Sequence, residues 1–317
     1  MHKYVFGPVP SRRLGRSLGI NNVPPKHCTY SCIYCQLGRT PHLEVIRRSF
    51  YPIDKLLSEI VNTVKTIGED NIDFITFVPD GEPTLDINLG RVVEKLKKNI
   101  NTPIAILSNS SLLPYEDVRD DLMLIDLVSL KIDALSHRLW KIINRPHPKL
   151  ELNLIVEAIE MFSKHFRGRL IYETMLVKNV NDNVKEMMKI ANFIRTTRFH
   201  KIYLSIPIRP PAESWVKPPD ESFIVKAFNI LSNIVGKDKV ELLIGFEGSN
   251  FTLTGDPIAS LLAIISVHPL RLDYAYKLLE ERGLDSHKVI SDLDNEGLIA
   301  KVSYEGYTFI IRKFTNR

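Results

Sequence analysis

The residues of this chain best suited to chemistry are its three cysteines, Cys28, Cys32 and Cys35, which all fall within the segment HCTYSCIYCQLGRT (27 to 40). An odd number of cysteines packed into eight residues is a poor layout for a disulfide framework and a natural one for a metal site. Three thiolates at C-x3-C-x2-C spacing can hold three corners of a 4Fe-4S cube, which leaves the fourth iron without a protein ligand. The alternative is a structural zinc completed by His27 or His42. His27 adjoins Cys28 and reaches the same ion only with difficulty, and the second C-x2-C knuckle common in such sites is missing. No cysteine remains for a second cluster.

Two other segments carry polar residues where apolar ones are expected. FVPDGEPTLD (77 to 86) places Glu82 just after an apolar run, and SLKIDA (129 to 134) places Lys131 in a strand that should be buried, where unpaired lysines are rare. The elements that position them follow an alternating pattern. Apolar runs of strand length, SLGINN (17 to 22), IDFITFV (72 to 78), PIAILSN (103 to 109), DLVSLKI (126 to 132), RLIYETML (169 to 176) and KIYLSIPI (201 to 208), are each followed by a segment of helical period. Leu57, Ile60, Val61, Val64 and Ile67 make one helical stripe, and Leu154, Ile155, Ala158, Ile159 and Phe162 make another. VELLIGF (240 to 246) offers a seventh strand, and the proline-rich stretch from Pro207 to Pro219 reads as a loop. Six strand-helix pairs predict an α/β fold with a mainly parallel sheet. After Gly248 the pattern changes to three short helices, 256 to 267, 273 to 282 and 286 to 296, and then a hairpin turning at Glu305 and Gly306. That order predicts a C-terminal winged helix.

The cysteine spacing, the aromatic Tyr34 ahead of the third cysteine and the six strand-helix pairs resemble the radical S-adenosylmethionine (SAM) superfamily. RRLGRSLGINNVPPKHCTYSCIYCQLGRT, FVPDGEPTLD and SLKIDA are more closely similar to its archaeal and bacterial branch related to the wyosine-tRNA synthases. The resemblance implies a partial (β/α)6 barrel over residues 1 to 250, with the winged-helix unit as a second domain over 255 to 317. It also implies one 4Fe-4S cluster on the three cysteines, with the amino and carboxylate groups of SAM chelating the open iron. Reductive cleavage would then give a 5′-deoxyadenosyl radical, the electron coming from a flavodoxin- or ferredoxin-like donor. By the same resemblance Tyr34 packs on the adenine, Gly81, Glu82 and Pro83 receive the methionine ammonium, and Ser108, Asn109, Ser129 and Lys131 serve the ribose and carboxylate. Glu173 and Asn181 match less specifically and read equally as satisfied core or loop polar groups. The wyosine synthases carry extra cysteines for a second cluster, which this chain lacks, so wyosine synthesis is not expected.

Charge bears on the substrate. The net charge is +5 overall, but residues 1 to 50 hold eight Lys and Arg against Glu44 alone. Arg12, Arg13 and Arg16 would contact phosphates if the substrate is RNA or tRNA, or else pair with core carboxylates and hold the first strand in place. Residues 256 to 317 carry eight basic and nine acidic groups, and the recognition helix SHKVISDLDNE has three acids against one lysine, which repels phosphate. The winged helix is therefore expected to dock a partner or oligomerise, with radical generation independent of it. A protein or small metabolite is the alternative substrate, and an iron-sulfur sensor that binds DNA is the reading from another class. With no signal peptide pattern and no run of about 18 apolar residues, the chain is expected in the cytoplasm and not in a membrane.

Overall fold

A computed structural model describes residues 4–245, 251, 253 and 255–313. Its main sheet has eight strands. β1 (Val5–Ser11) runs antiparallel to β2 (Gly15–Ile20) and forms the sheet edge. From β2 onward each strand lies parallel to the next in chain order: β3 (Phe74–Phe77), β4 (Ile104–Ser108), β5 (Leu127–Lys131), β6 (Arg169–Met175), β7 (Lys201–Ser205) and β8 (Val240–Leu243). Sequential parallel neighbours require crossovers, which are supplied by helices on the outer face. These are α1 (Ile53–Ile67), α2 (Leu89–Lys97), α3 (Glu116–Met123), α4 (His137–Asn144) with α5 (Leu152–His165), α6 (Val184–Arg195) and α7 (Glu221–Val235). The sheet curls into a half-barrel, so that side chains from both of its edges face one another across its concave side.

The six expected strands are present and VELLIGF supplies the seventh parallel strand as Val240–Leu243, although its Phe246 lies outside the described residues. β1 was not legible because VFGPVPS contains Pro8 and Pro10. At a sheet edge those prolines cost no ladder bond on the solvent side. The α1 stripe is buried through Leu56, Ile60 and Val64, with Leu57, Val61 and Ile67 flanking it. In α5 the stripe begins at Leu152, and Leu154 is exposed, correcting the expectation by a shift of the stripe around the helix.

The C-terminal segment forms α8 (Pro257–Val267), β9 (Leu270–Arg271), α9 (Leu272–Glu280), α10 (Ser286–Asn295), β10 (Ile299–Tyr304) and β11 (Tyr307–Arg312). The three strands order as β9-β11-β10, and the hairpin turns through Glu305 and Gly306, both at positive φ. The expected boundary near residues 248 to 255 falls largely outside the described residues. This unit does not close its own core. Leu261, Ile264 and Ile310 share a cluster with Phe6 and Val9 of β1. Phe6 can reach them because its register partner is Gly19, where a Cβ would stand 2.1 Å from the Phe6 ring. Among the described residues no helix is long and apolar enough to cross a membrane.

Candidate functional site

A parallel sheet presents the carboxyl ends of its strands at one edge, and loops leaving that edge meet above the barrel. The cysteine loop leaves β2, the GEP segment leaves β3, Asn109 follows β4, Lys131 ends β5, Met175 ends β6 and Ser205 ends β7. They enclose a cavity of about 350 Å³, within the range of small-molecule sites. Cys28, Cys32, Cys35, Tyr34, Gly81, Glu82, Ser108, Asn109, Ser129 and Lys131 all line it. Ser129 and Lys131 do so together because alternate residues of a strand share a face. Pro83 does not. It opens the short 3₁₀ turn Pro83–Leu85, and its carbonyl accepts from Asn22 Nδ2 at 2.9 Å.

The three thiols are held without any disulfide. Burial, reinforced by the nearby Glu82 charge, pushes Cys28 well above the ordinary thiol range, and burial with Asp133 pushes Cys32 up to about 12. A bare thiolate is thus disfavoured, and deprotonation must accompany the arrival of a cation. Each sulfur also meets one side-chain N–H donor: Asn109 Nδ2 at 3.5 Å from Cys28 Sγ, Asn144 Nδ2 at 3.5 Å from Cys32 Sγ, and Lys26 Nζ at 3.9 Å from Cys35 Sγ.

Gly81 fits the GEP segment against the cysteine loop. A Cβ there would lie 2.1 Å from the His27 carbonyl oxygen, and the same oxygen accepts from Glu82 N at 3.0 Å. The Glu82 carboxylate is buried, and burial raises its pKa against the opposing effect of its hydrogen bonds. Its Oε1 accepts from Thr84 N (3.2 Å), Thr84 Oγ1 (2.6 Å) and Ser108 Oγ (2.8 Å), while among the described residues Oε2 accepts from Asn109 N (2.8 Å). Tyr34 donates its hydroxyl to Asp133, which fixes the ring, and Lys131 Nζ stands 4.9 Å from the ring centroid. Lys131 also lies 3.5 Å from Glu173 Oε1. Glu173 lines the cavity, bonding Arg13 and accepting from Ser205 Oγ at 3.0 Å. Asn181 is spent on backbone: its Nδ2 donates to Asp133 O and Met175 O, and its Oδ1 accepts from Val177 N.

The arginines of the basic N-terminus have protein partners. Arg13 lies inside the barrel on Glu173, Arg16 bonds Asp73 and the Asp70 carbonyl, and Arg12 donates to the carbonyls of Leu242 and Gly245. Sequence reasoning missed Lys26, Asn144, Arg209 and His268. Val267 and His268 bring the C-terminal unit onto the cavity wall, where Gln36 Nε2 donates to the Val267 carbonyl at 3.0 Å and Arg209 meets His268 Nε2 at 2.8 Å. The tail therefore does not stand apart from the site, which the placing of every motif ahead of residue 135 had suggested.

The proline-rich loop clamps the cysteine loop from outside. Glu213 N donates to Ile33 O at 3.1 Å, and its carboxylate takes a bidentate bond from Arg39 and another bond from Arg145. Arg39 first, then Arg145, holds the Glu213 carboxyl down to about 2 from the ordinary 4.5. A folded pKa below the unfolded one gives stability that is present above about pH 4.5 and is lost as pH falls toward about 2. Hydrogen exchange of residues 30 to 40, corrected for its intrinsic pH dependence, is expected to quicken across that window. Glu213→Gln should be fast already at neutral pH and flat across it, and an identical profile in both proteins would remove the clamp.

A family model, the radical SAM superfamily, matches residues 22–192. The UPF0026 protein MJ1312 of Methanocaldococcus jannaschii is 42% identical over 312 residues, 98% of this chain and 97% of that one. Among solved structures, a radical SAM methyltransferase from Sphaerobacter thermophilus matches with TM-score 0.55 at 17% identity, over 72% of this chain and 66% of that one. TYW1 with a lysine-pyruvate adduct bound matches with TM-score 0.51 at 17% identity, over 69% and 73%.

Proposed function

Because the chain belongs to the radical SAM superfamily, we propose that Cys28, Cys32 and Cys35 hold one 4Fe-4S cluster with an open iron. Bound there, such a cluster would supply the one electron needed to break the sulfonium bond of S-adenosylmethionine, giving methionine and a 5′-deoxyadenosyl radical. The electron is supplied by a flavodoxin- or ferredoxin-like donor. The observation that carries this reading is the convergence of three sequence-distant motifs, the cysteine loop, GEP and SLK, on one cavity of ligand size. The donor set fits a cube better than a zinc ion. His27 is committed to Glu44 and stacks on His42 at 4.5 Å.

The chain's own residues then have defined work. Asp133 holds Tyr34 so that its ring stays on the cavity wall for the adenine, and Lys131, shared with Glu173, offers its ammonium to the methionine carboxylate. The free side of Glu82 Oε2 is left for the methionine ammonium. Of the arginines that an RNA reading needs, Arg13 and Arg16 are held by Glu173 and Asp73, and exposed Arg12 bonds the carbonyls of Leu242 and Gly245, which favours a protein or small-metabolite substrate over RNA. Anaerobically reconstituted protein is expected to bind about four irons per chain and to release 5′-deoxyadenosine when reduced with S-adenosylmethionine. Stoichiometric zinc without iron in the natively purified protein would sink the enzyme reading. Tight binding of total tRNA, weakening steeply with salt, would restore RNA as the substrate.

A further inference from the structure

The three N–H donors that face the three sulfurs come from three separate segments: Lys26 ahead of the cysteine loop, Asn109 after β4 and Asn144 at the end of α4. None is a free surface group. Asn109 Nδ2 is also tied to Thr29 Oγ1 at 2.7 Å and its Oδ1 accepts from Ser111 N, while Asn144 Nδ2 is tied to Asp133 Oδ2 at 2.8 Å. Lys26 is held by the Gly38 carbonyl at 3.0 Å and by Asp80 at 3.4 Å, on a backbone with φ of 65°, a region a lysine rarely adopts. A neutral thiol is a weak acceptor for these donors, whereas a metal-bound thiolate is a strong one.

We propose that Lys26, Asn109 and Asn144 form a donor shell, one group per cysteine, that raises the reduction potential of the cluster. The proposal rests on the cluster reading above. Reduction takes one electron from the external donor, moves no proton and breaks no bond, and it adds one negative charge within reach of these N–H groups. Hydrogen bonds to cluster sulfurs stabilise that added charge, and a charged donor does so more strongly than an amide. The shell has something to offset. Glu82 bonds the backbone N–H of Asn109 and Asp133 bonds the amide of Asn144, so a carboxylate stands beside each amide donor, and its negative charge disfavours further reduction nearby.

The test uses the full chain loaded with iron and sulfide, and single variants Asn109→Ala, Asn144→Ala and Lys26→Met, titrated potentiometrically with electron paramagnetic resonance as the readout. At the ambient potential where the parent is half reduced, the reduced-to-oxidised ratio is expected to fall about five- to tenfold for each amide, and further for Lys26. Asp133→Asn, which removes a negative charge, should raise the ratio instead, and merely loosened packing would not produce opposite signs. Variants that keep about four irons per chain and titrate with the parent overturn the donor shell, while a parent that binds no iron overturns the cluster reading. If a substitution prevents loading, the parent decides. Exchange of N–H for N–D should shift its iron–thiolate vibrational bands, and bands indifferent to deuterium overturn the proposal.

Discussion

Cys28→Ala, Cys32→Ala and Cys35→Ala, made one at a time, are each expected to reduce S-adenosylmethionine cleavage to the uncatalysed level. The chain has no fourth cysteine to substitute, and all three sulfurs line the same cavity. With two thiolates a cube would have two unligated irons, and the bidentate cosubstrate serves only one of them. The fold should survive better than the activity. The loop is held independently of the thiols by the Gly81 contact and the Glu213 clamp. Circular dichroism and thermal melts near those of the metal-free parent, together with absent 5′-deoxyadenosine, make the expected outcome. A variant that still releases 5′-deoxyadenosine at the parent's rate would remove that cysteine from the ligand set.

Ending the chain at Asp256 is the second change with a large expected effect, and it acts through packing. Phe6 and Val9 of β1 would lose the Leu261, Ile264 and Ile310 side of their cluster. Re-exposing a buried Phe or Val costs about 1.5 to 3 kcal/mol each, a substantial part of the roughly 5 to 15 kcal/mol that holds a domain folded. The cavity would also lose Val267 and His268 from its wall, and Gln36 and Arg209 would lose their partners there. Lower melting temperature and weakened S-adenosylmethionine retention in the iron-loaded protein are therefore expected together. A truncated chain that melts with the parent and cleaves S-adenosylmethionine at the same rate would show that the C-terminal wall is dispensable to the chemistry.

The sequence made legible what is local. Runs such as IAILS and LVSLK declare buried parallel strands by their mainly apolar character, and the cysteine loop declares itself by spacing alone. Glu82 was found from its motif, although its bonds from Thr84, Ser108 and Asn109 depend on two loops meeting. What stayed hidden is long-range. Asn144 lies 112 residues from Cys32, and no periodicity links a helix terminus to a loop at that distance. Whether Arg13 meets phosphate or a core carboxylate stayed open because charge counting cannot see that the β1–β2 turn places it inside the barrel on Glu173. His268 sits beside a proline that reads as a helix break, so nothing marked it as a cavity wall.

Because β1 packs on α8, folding has a fixed order in time. Strands β2 to β8 pair each with its chain neighbour, so the barrel can be assembled progressively as it leaves the ribosome. Phe6 must wait for α8, made about 250 residues later, which at roughly 5 to 20 residues per second is about 12 to 50 s of synthesis. Until then the cysteines lie on a sheet that is still growing and still open on the side that Val267 and His268 will close. Metal delivery during translation would meet a doorway, and delivery afterwards would meet a wall.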